Sequence, residues 1–177
     1  MEDARFQQVR GYWEGLRRNG ALPRRPDIDP RGMEAALSHV LLAERVAPGL
    51  ARLRIAGMHL ADLMGMEVRG MPLSALFEPM ARARLAEILE QVWTRPAIAD
   101  LRLEAGRGLM QPALSARLML LPVAAQDGAT SRLLGCLVSQ GTLGRAPRRF
   151  GIAGADVTIL HDVPAAVAPP APRARRA

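Results

Sequence analysis

The sequence predicts an α+β fold, a five-stranded antiparallel sheet with helices on one of its faces, preceded by an amphipathic N-terminal helix. Between residues 50 and 73, alternating Leu53 and Ile55 against Arg52 and Arg54 give way at Gly57 to Leu60, Leu63 and Met64 at helical spacing. Strands and helices need different apolar periods, so this switch marks a change of structure. Two strand-like runs lie before the switch and three more follow the longest helical stripe. The turns between them are too short for helical crossovers, which makes neighbouring strands antiparallel.

In chain order, residues 3–18 place Phe6, Val9, Trp13 and Leu16 on one stripe, with Arg5, Gln8, Arg10, Glu14 and Arg17 around the rest of the wheel. This predicts an amphipathic helix ending near Asn19-Gly20. Pro23, Pro26 and Pro30 keep the next segment irregular, and Asp29-Pro30 predicts an N-cap opening a short helix through Met33 and Leu37. Residues 40–46 and 50–56 form a hairpin around Ala47-Pro48-Gly49. A short helix from Met58 stops at Gly65, and a second turn covers 73–77. From Pro79, the stripe Met80, Ala83, Leu85, Ile88, Leu89 and Val92 predicts a helix reaching Trp93. Residues 98–104, 113–123 and 132–140 are the remaining strands, with turns at Gly106-Arg107-Gly108 and Asp127-Gly128. The domain plan is an N-terminal helix and linker (1–26), a core domain (27–142), a peripheral segment (143–163) whose residues 155–160 add a small strand or stay peripheral, and a disordered Pro/Ala/Arg-rich tail (164–177).

Composition narrows the function classes. The chain has 177 residues, 49% hydrophobic but only 3% aromatic, with 9 Met, so its core is aliphatic and adaptable. The net charge is +7, yet all 24 basic residues are Arg and six of them lie from Arg145 onward, against Asp156 and Asp162 alone. The domain itself is nearly balanced, and it lacks the compact basic patch with interleaved aromatics that nucleic-acid binding requires. Nucleic acid is therefore disfavoured, and a nucleic-acid-associated regulator using the Arg-rich C-terminal region is the alternative reading. Cys136 is the single cysteine, which rules out an intrachain disulfide or a cysteine-based zinc cluster and fits a reducing compartment. No run approaches a membrane span and MEDARFQQVR is not a signal peptide, so a soluble cytoplasmic protein is expected.

No catalytic constellation stands out. Asp27 and Asp29 are paired carboxylates, but their prolines and helix-start position predict capping. The Gly106-Arg107-Gly108 turn lacks the Lys and following helix of a phosphate loop. Glu67 and Arg69 are placed to pair across a turn. A protein without an enzymatic reaction is expected.

The segment RIAGMHLADLMGMEVRGMPL, together with Tyr12-Trp13 and DIDP at 27–30, resembles a bacterial subgroup of small standalone PAS-like domain proteins. The resemblance covers roughly residues 5–142 and rests on Tyr12, Trp13, Asp27, Asp29, Pro30, Arg54, Gly57, Leu63, Gly65, Glu67 and Gly70. It implies a sensory or protein-interaction module in signalling, acting through a downstream partner protein. It also implies an aliphatic pocket between sheet and helices for a small hydrophobic ligand, lined by Leu53, Ile55, Leu60, Leu63, Met64, Leu101, Leu118, Leu120 and Cys136, with Ile88 and Val92 closing the helix side. The same residues are what any packed core would show. In the superfamily such pockets hold haem, flavin or small metabolites, or nothing. Here the long helix carries no His for haem iron, His59 reads as a partly exposed polar residue, and His39 and His161 lie at element edges. Cys136 sits in a strand rather than in the Asn-Cys-Arg motif of photoactive flavin domains, so no cofactor is nominated.

Two expectations concern motion and assembly. Glycine punctuation between Met58 and Phe77 predicts a segment that shifts relative to the sheet when a ligand or partner binds. Phe6, Val9, Trp13 and Leu16 must be buried either against the domain's own sheet or in a homodimer, and a homodimer through this stripe is the expectation.

Overall fold

In the computed structural model, which describes residues 3–125 and 130–163, the first element is helix α1 (Ala4–Leu16). Asp3 caps it, its carboxylate accepting from the Arg5 backbone N–H at 2.9 Å. The chain leaves through Asn19 and Gly20, both at positive φ. Short 3-10 turns follow at Arg25–Asp27 and Pro30–His39, the latter capped by Asp29. Asp27 likewise accepts from the Arg24 backbone N–H at 2.9 Å, so both carboxylates of the pair serve as caps.

Strands β1 (Val40–Ala47) and β2 (Leu50–Ala56) form the expected hairpin, turning at Gly49 with φ 68°. Helix α2 (Met58–Met64) ends on Gly65 in the left-handed conformation. Turns at Leu73–Leu76 and Pro79–Ala81 lead to helix α3 (Arg82–Thr94). Strands β3 (Ala97–Ala105), β4 (Leu114–Ala124), β5 (Thr130–Gln140) and β6 (Gly151–Ile159) complete one antiparallel sheet, ordered β2-β1-β5-β4-β3-β6.

The sheet has six strands rather than five. The sixth, β6, spans residues 151–159 and pairs with β3, so the sheet extends past residue 142. Its small residues Gly151, Ala153 and Gly154 and its half-exposed edge position leave no strong apolar alternation to read. The tail at 164–177 and the Asp127-Gly128 turn lie outside the described residues.

The helices after β2 cover one face of the sheet, and the N-terminal helix with the 30–39 segment covers the other. On the inner face α2, the 73–76 turn and α3 bury Leu60, Leu63, Leu73, Leu76, Leu85 and Val92 against Leu41, Leu53, Leu101, Leu118 and Leu137. On the outer face α1 and the 30–39 segment pack over Val40, Leu42, Met119, Leu121, Val123 and Leu134. Because the central strands are covered on both sides, they are apolar along nearly their whole length.

This architecture decides where the N-terminal stripe goes. Phe6, Val9 and Trp13 are at most 4% exposed within the chain itself, the Trp13 indole N–H donates to the Pro122 carbonyl at 2.9 Å, and the Arg117 guanidinium lies 5.0 Å from the Phe6 ring centre. Leu16 is half-buried against the same cluster. Within the single chain, the stripe expected to serve a dimer has its side chains against the chain's own sheet. Sequence showed a stripe that had to be covered, and the open outer face of the sheet covers it.

Candidate functional site

Most of the residues expected to line a ligand pocket are brought together by the fold. Leu53, Leu60, Leu63, Met64, Ile88, Val92, Leu101, Leu118 and Leu120 meet in one inner-face cluster, each at most 4% exposed. Ile55 and Cys136 do not join them. The ladder steps from Leu42↔Ile55 to Ala43↔Leu53, leaving Arg54 as a bulge residue, so Ile55 turns to the outer face and is 42% exposed. Cys136 alternates with Leu137 on β5 and falls into the outer cluster. Burial pushes its thiol up to about 12, which leaves it a small hydrophobe rather than a nucleophile.

The residues that carried the family resemblance hold local structure. The Tyr12 hydroxyl receives the Asp29 backbone N–H at 2.6 Å and donates to the Asp27 carbonyl at 3.4 Å, tying α1 to the capped turns. At Gly57 a Cβ would collide with the Leu37 and Ser38 carbonyls, and Gly65 and Gly70 hold positive φ. Arg54 pairs with Glu44 at 2.7 Å. Glu67 accepts from the Arg69 backbone N–H at 3.0 Å, a turn contact rather than an ion pair.

The chemically distinctive place is where α1, the 30–39 segment, α2 and β5 converge. His39 and His59 lie face to face there, with ring centres 4.5 Å apart and planes tilted by 30°. Arg5 Nη1 sits 2.8 Å from His39 Nε2, and Ser38 Oγ sits 2.8 Å from His39 Nδ1. A guanidinium can only donate, so Nε2 must accept and the His39 proton is assigned to Nδ1, with the ring neutral. Arg5 is itself gripped by Asp3, at 2.9 Å to Nε and 2.7 Å to Nη2, and this pairing holds the Asp3 carboxyl below its usual range. His59 Nε2 is 3.0 Å from Ser139 Oγ on β5.

Burial is the main reason both imidazoles resist protonation. His59 is lowered to about 4, by desolvation first, then by His39 and Arg5, with Asp62 acting in the opposite sense. His39 is lowered by desolvation and by Arg5, against a smaller pull from Asp3. The cluster thus joins a helix of the outer layer to one of the inner layer through a run of contacts, Asp3–Arg5–His39–His59–Ser139, that depends on neutral imidazoles. In the sequence each histidine is weighed alone as a haem ligand and the two are not paired, since they are 20 positions apart. The signal that could have found them is that both flank the Gly57 switch, His39 just before β1 and His59 just after β2.

Among the described residues, no group of three or more His, Cys, Asp or Glu could hold a metal ion, and no helix is long and apolar enough to cross a membrane. A family model described as a PAS domain matches residues 1–138. No curated protein matches the sequence. Solved structures with a similar fold include a light-oxygen-voltage domain studied with a flavin analogue (15% identical over 63% of this chain and 83% of that one, TM-score 0.46). The Rhodobacter sphaeroides LOV protein is 16% identical over 80% of this chain and 69% of that one, with a TM-score of 0.43. An RNA-binding light-oxygen-voltage receptor is 19% identical over 67% of this chain and 36% of that one, with a TM-score of 0.42. These are distant likenesses of fold.

Proposed function

The chain belongs to the PAS domain family, and from that premise we propose that it is a sensory or signalling module without a reaction of its own, delivering its signal to a partner protein. The observation that carries this reading is the two-histidine junction. Residues 58–77 carry α2 and its glycine-punctuated turns, and α2 begins beside His59. A shift of this segment pulls on His59, then on His39 and Arg5, and so on the hold that α1 has on the outer face.

Helix α1 is suited to being released. Gly11 and Gly15 sit within it with open space around the position of a Cβ, and each weakens a helix by about 0.5–1 kcal/mol relative to Ala. Its exposed side carries the Arg10–Glu14 pair at 3.0 Å, a polar surface for a partner. On release, Phe6, Val9 and Trp13 become available to a second protein.

The test is hydrogen exchange combined with native mass spectrometry on the purified chain. The proposal expects residues 4–16 and 58–77 to exchange faster than β3–β5, and both to change together when a bound metabolite or partner is added. Protection equal to that of the strands, unchanged by any addition, would refute it.

A further inference from the structure

The outer face carries a cleft that α1 leaves uncovered. Its floor is Val40, Leu42 and Leu134 with Ile55 at the β2 edge, its wall is Met33 and Leu37, and its volume is about 180 Å³. Leu37 is 38% and Ile55 42% exposed, so apolar side chains face water inside a concavity rather than on a convex surface. An apolar cavity of roughly 150 Å³ is enough to take a benzene-sized group.

Arg25 also lines this cleft. Its neighbours Arg24 and Arg31 are matched to Asp27 at 3.6 Å and Asp29 at 3.0 Å. Among the described residues, no carboxylate pairs with the half-buried Arg25. It is the one charged side chain lining the cleft, so the cleft offers an apolar floor and a single cation. The bulge at Arg54 creates this surface, since without it Ile55 would turn into the inner core beside Leu53.

We propose that this cleft binds small carboxylates bearing an apolar chain or ring, with the apolar part lying over Leu37, Leu42 and Ile55 and the carboxylate meeting Arg25. A guanidinium fork matches a carboxylate in geometry as well as charge. The site is separate from the inner core, and its occupancy does not depend on the signalling reading above.

The probe is octanoate, titrated below its aggregation range into the isotopically labelled full chain, with acetate and octanol as controls. Saturable shifts at Leu37, Leu42, Ile55 and Leu134 are expected, with acetate producing none. Arg25→Gln should weaken octanoate binding by about fivefold while leaving octanol unchanged, the effect of losing a partly exposed ion pair. Ile55→Asn, at an exposed position that leaves the cores intact, should weaken both probes. Absence of saturable shifts, shifts centred on Leu63 or Leu118, or equal octanoate affinity in Arg25→Gln would each overturn the proposal. Sedimentation of wild type and Ile55→Asn tests the other occupant: a dimer abolished by Ile55→Asn would assign the cleft to a second copy of the chain and overturn it.

Discussion

Acidification should loosen this protein through His59. The folded imidazole titrates at about 4 and the unfolded one at 6.5. Because the folded value is the lower, the unfolded chain takes up its proton first as pH falls. The stability contributed by the neutral ring is therefore complete above about pH 6.5 and is lost progressively down to about pH 4. At pH 5 the unfolded imidazole is almost fully charged and the folded one almost fully neutral, a difference of at most about 2 kcal/mol, which partial solvent exposure trims to roughly 1–2 kcal/mol. His39, lowered by its own burial and by Arg5, adds in the same direction. The lowered carboxyls of Asp3, Asp29 and Asp162 lose their contribution only as pH falls toward and below 3.8, so the window from pH 7 to 5 isolates the histidines.

The assay is urea unfolding at half-unit pH steps for wild type and for His59→Gln, whose amide can still bond Ser139 but does not titrate. Wild type should lose about 1–2 kcal/mol more than the variant between pH 7 and 5. Parallel profiles would refute the claim that the buried imidazole is held neutral by the fold.

Other perturbations read other parts of the structure. Trp13→Phe removes the bond to the Pro122 carbonyl and part of the outer core, and should cost about 1–3 kcal/mol in urea unfolding, without moving the inner-face residues in NMR spectra. Gly11→Ala and Gly15→Ala meet nothing within 4 Å, and each should raise stability by about 0.5–1 kcal/mol in thermal unfolding. Arg148, 1% exposed, donates to the carbonyls of Leu143, Gly106 and Pro112 and so ties the β3–β4 loop to the β5–β6 connection. Arg148→Met orphans those carbonyls and should cost about 2–4 kcal/mol, with exchange rising first in residues 106–112.

Much of this architecture was legible in the residues. The change of spacing at Gly57, the Asp29-Pro30 cap and the Ala47-Pro48-Gly49 turn are local signals with local causes, and each marks its element. The inner core was legible because Leu53, Leu60, Leu63, Leu101 and Leu118 fall on the expected periods. What failed was which face a residue serves. A single bulge at Arg54 reverses Ile55 relative to Leu53, and no propensity announces it. On β5, where both faces are covered, Leu134, Cys136 and Leu137 are equally apolar and alternation carries no sign. The same two-sided cover explains the N-terminal stripe, since a sheet with one bare face has room for α1. Strand β6 was hidden by its small residues, and the His39–His59 contact arises only once the β1–β2 hairpin brings the ends of two elements together.

The central claim is that the Arg5–His39–His59 contacts couple α2 to the seating of α1, adding to the hold of its buried stripe across the boundary between the two helix layers. Hydrogen exchange measured peptide by peptide at pH 7 on wild type and His59→Ala tests it directly. The account expects faster exchange in residues 4–16 of the variant, with β3 and β4 unchanged. Exchange in residues 4–16 identical in the two proteins, with the change confined to α2, would contradict it.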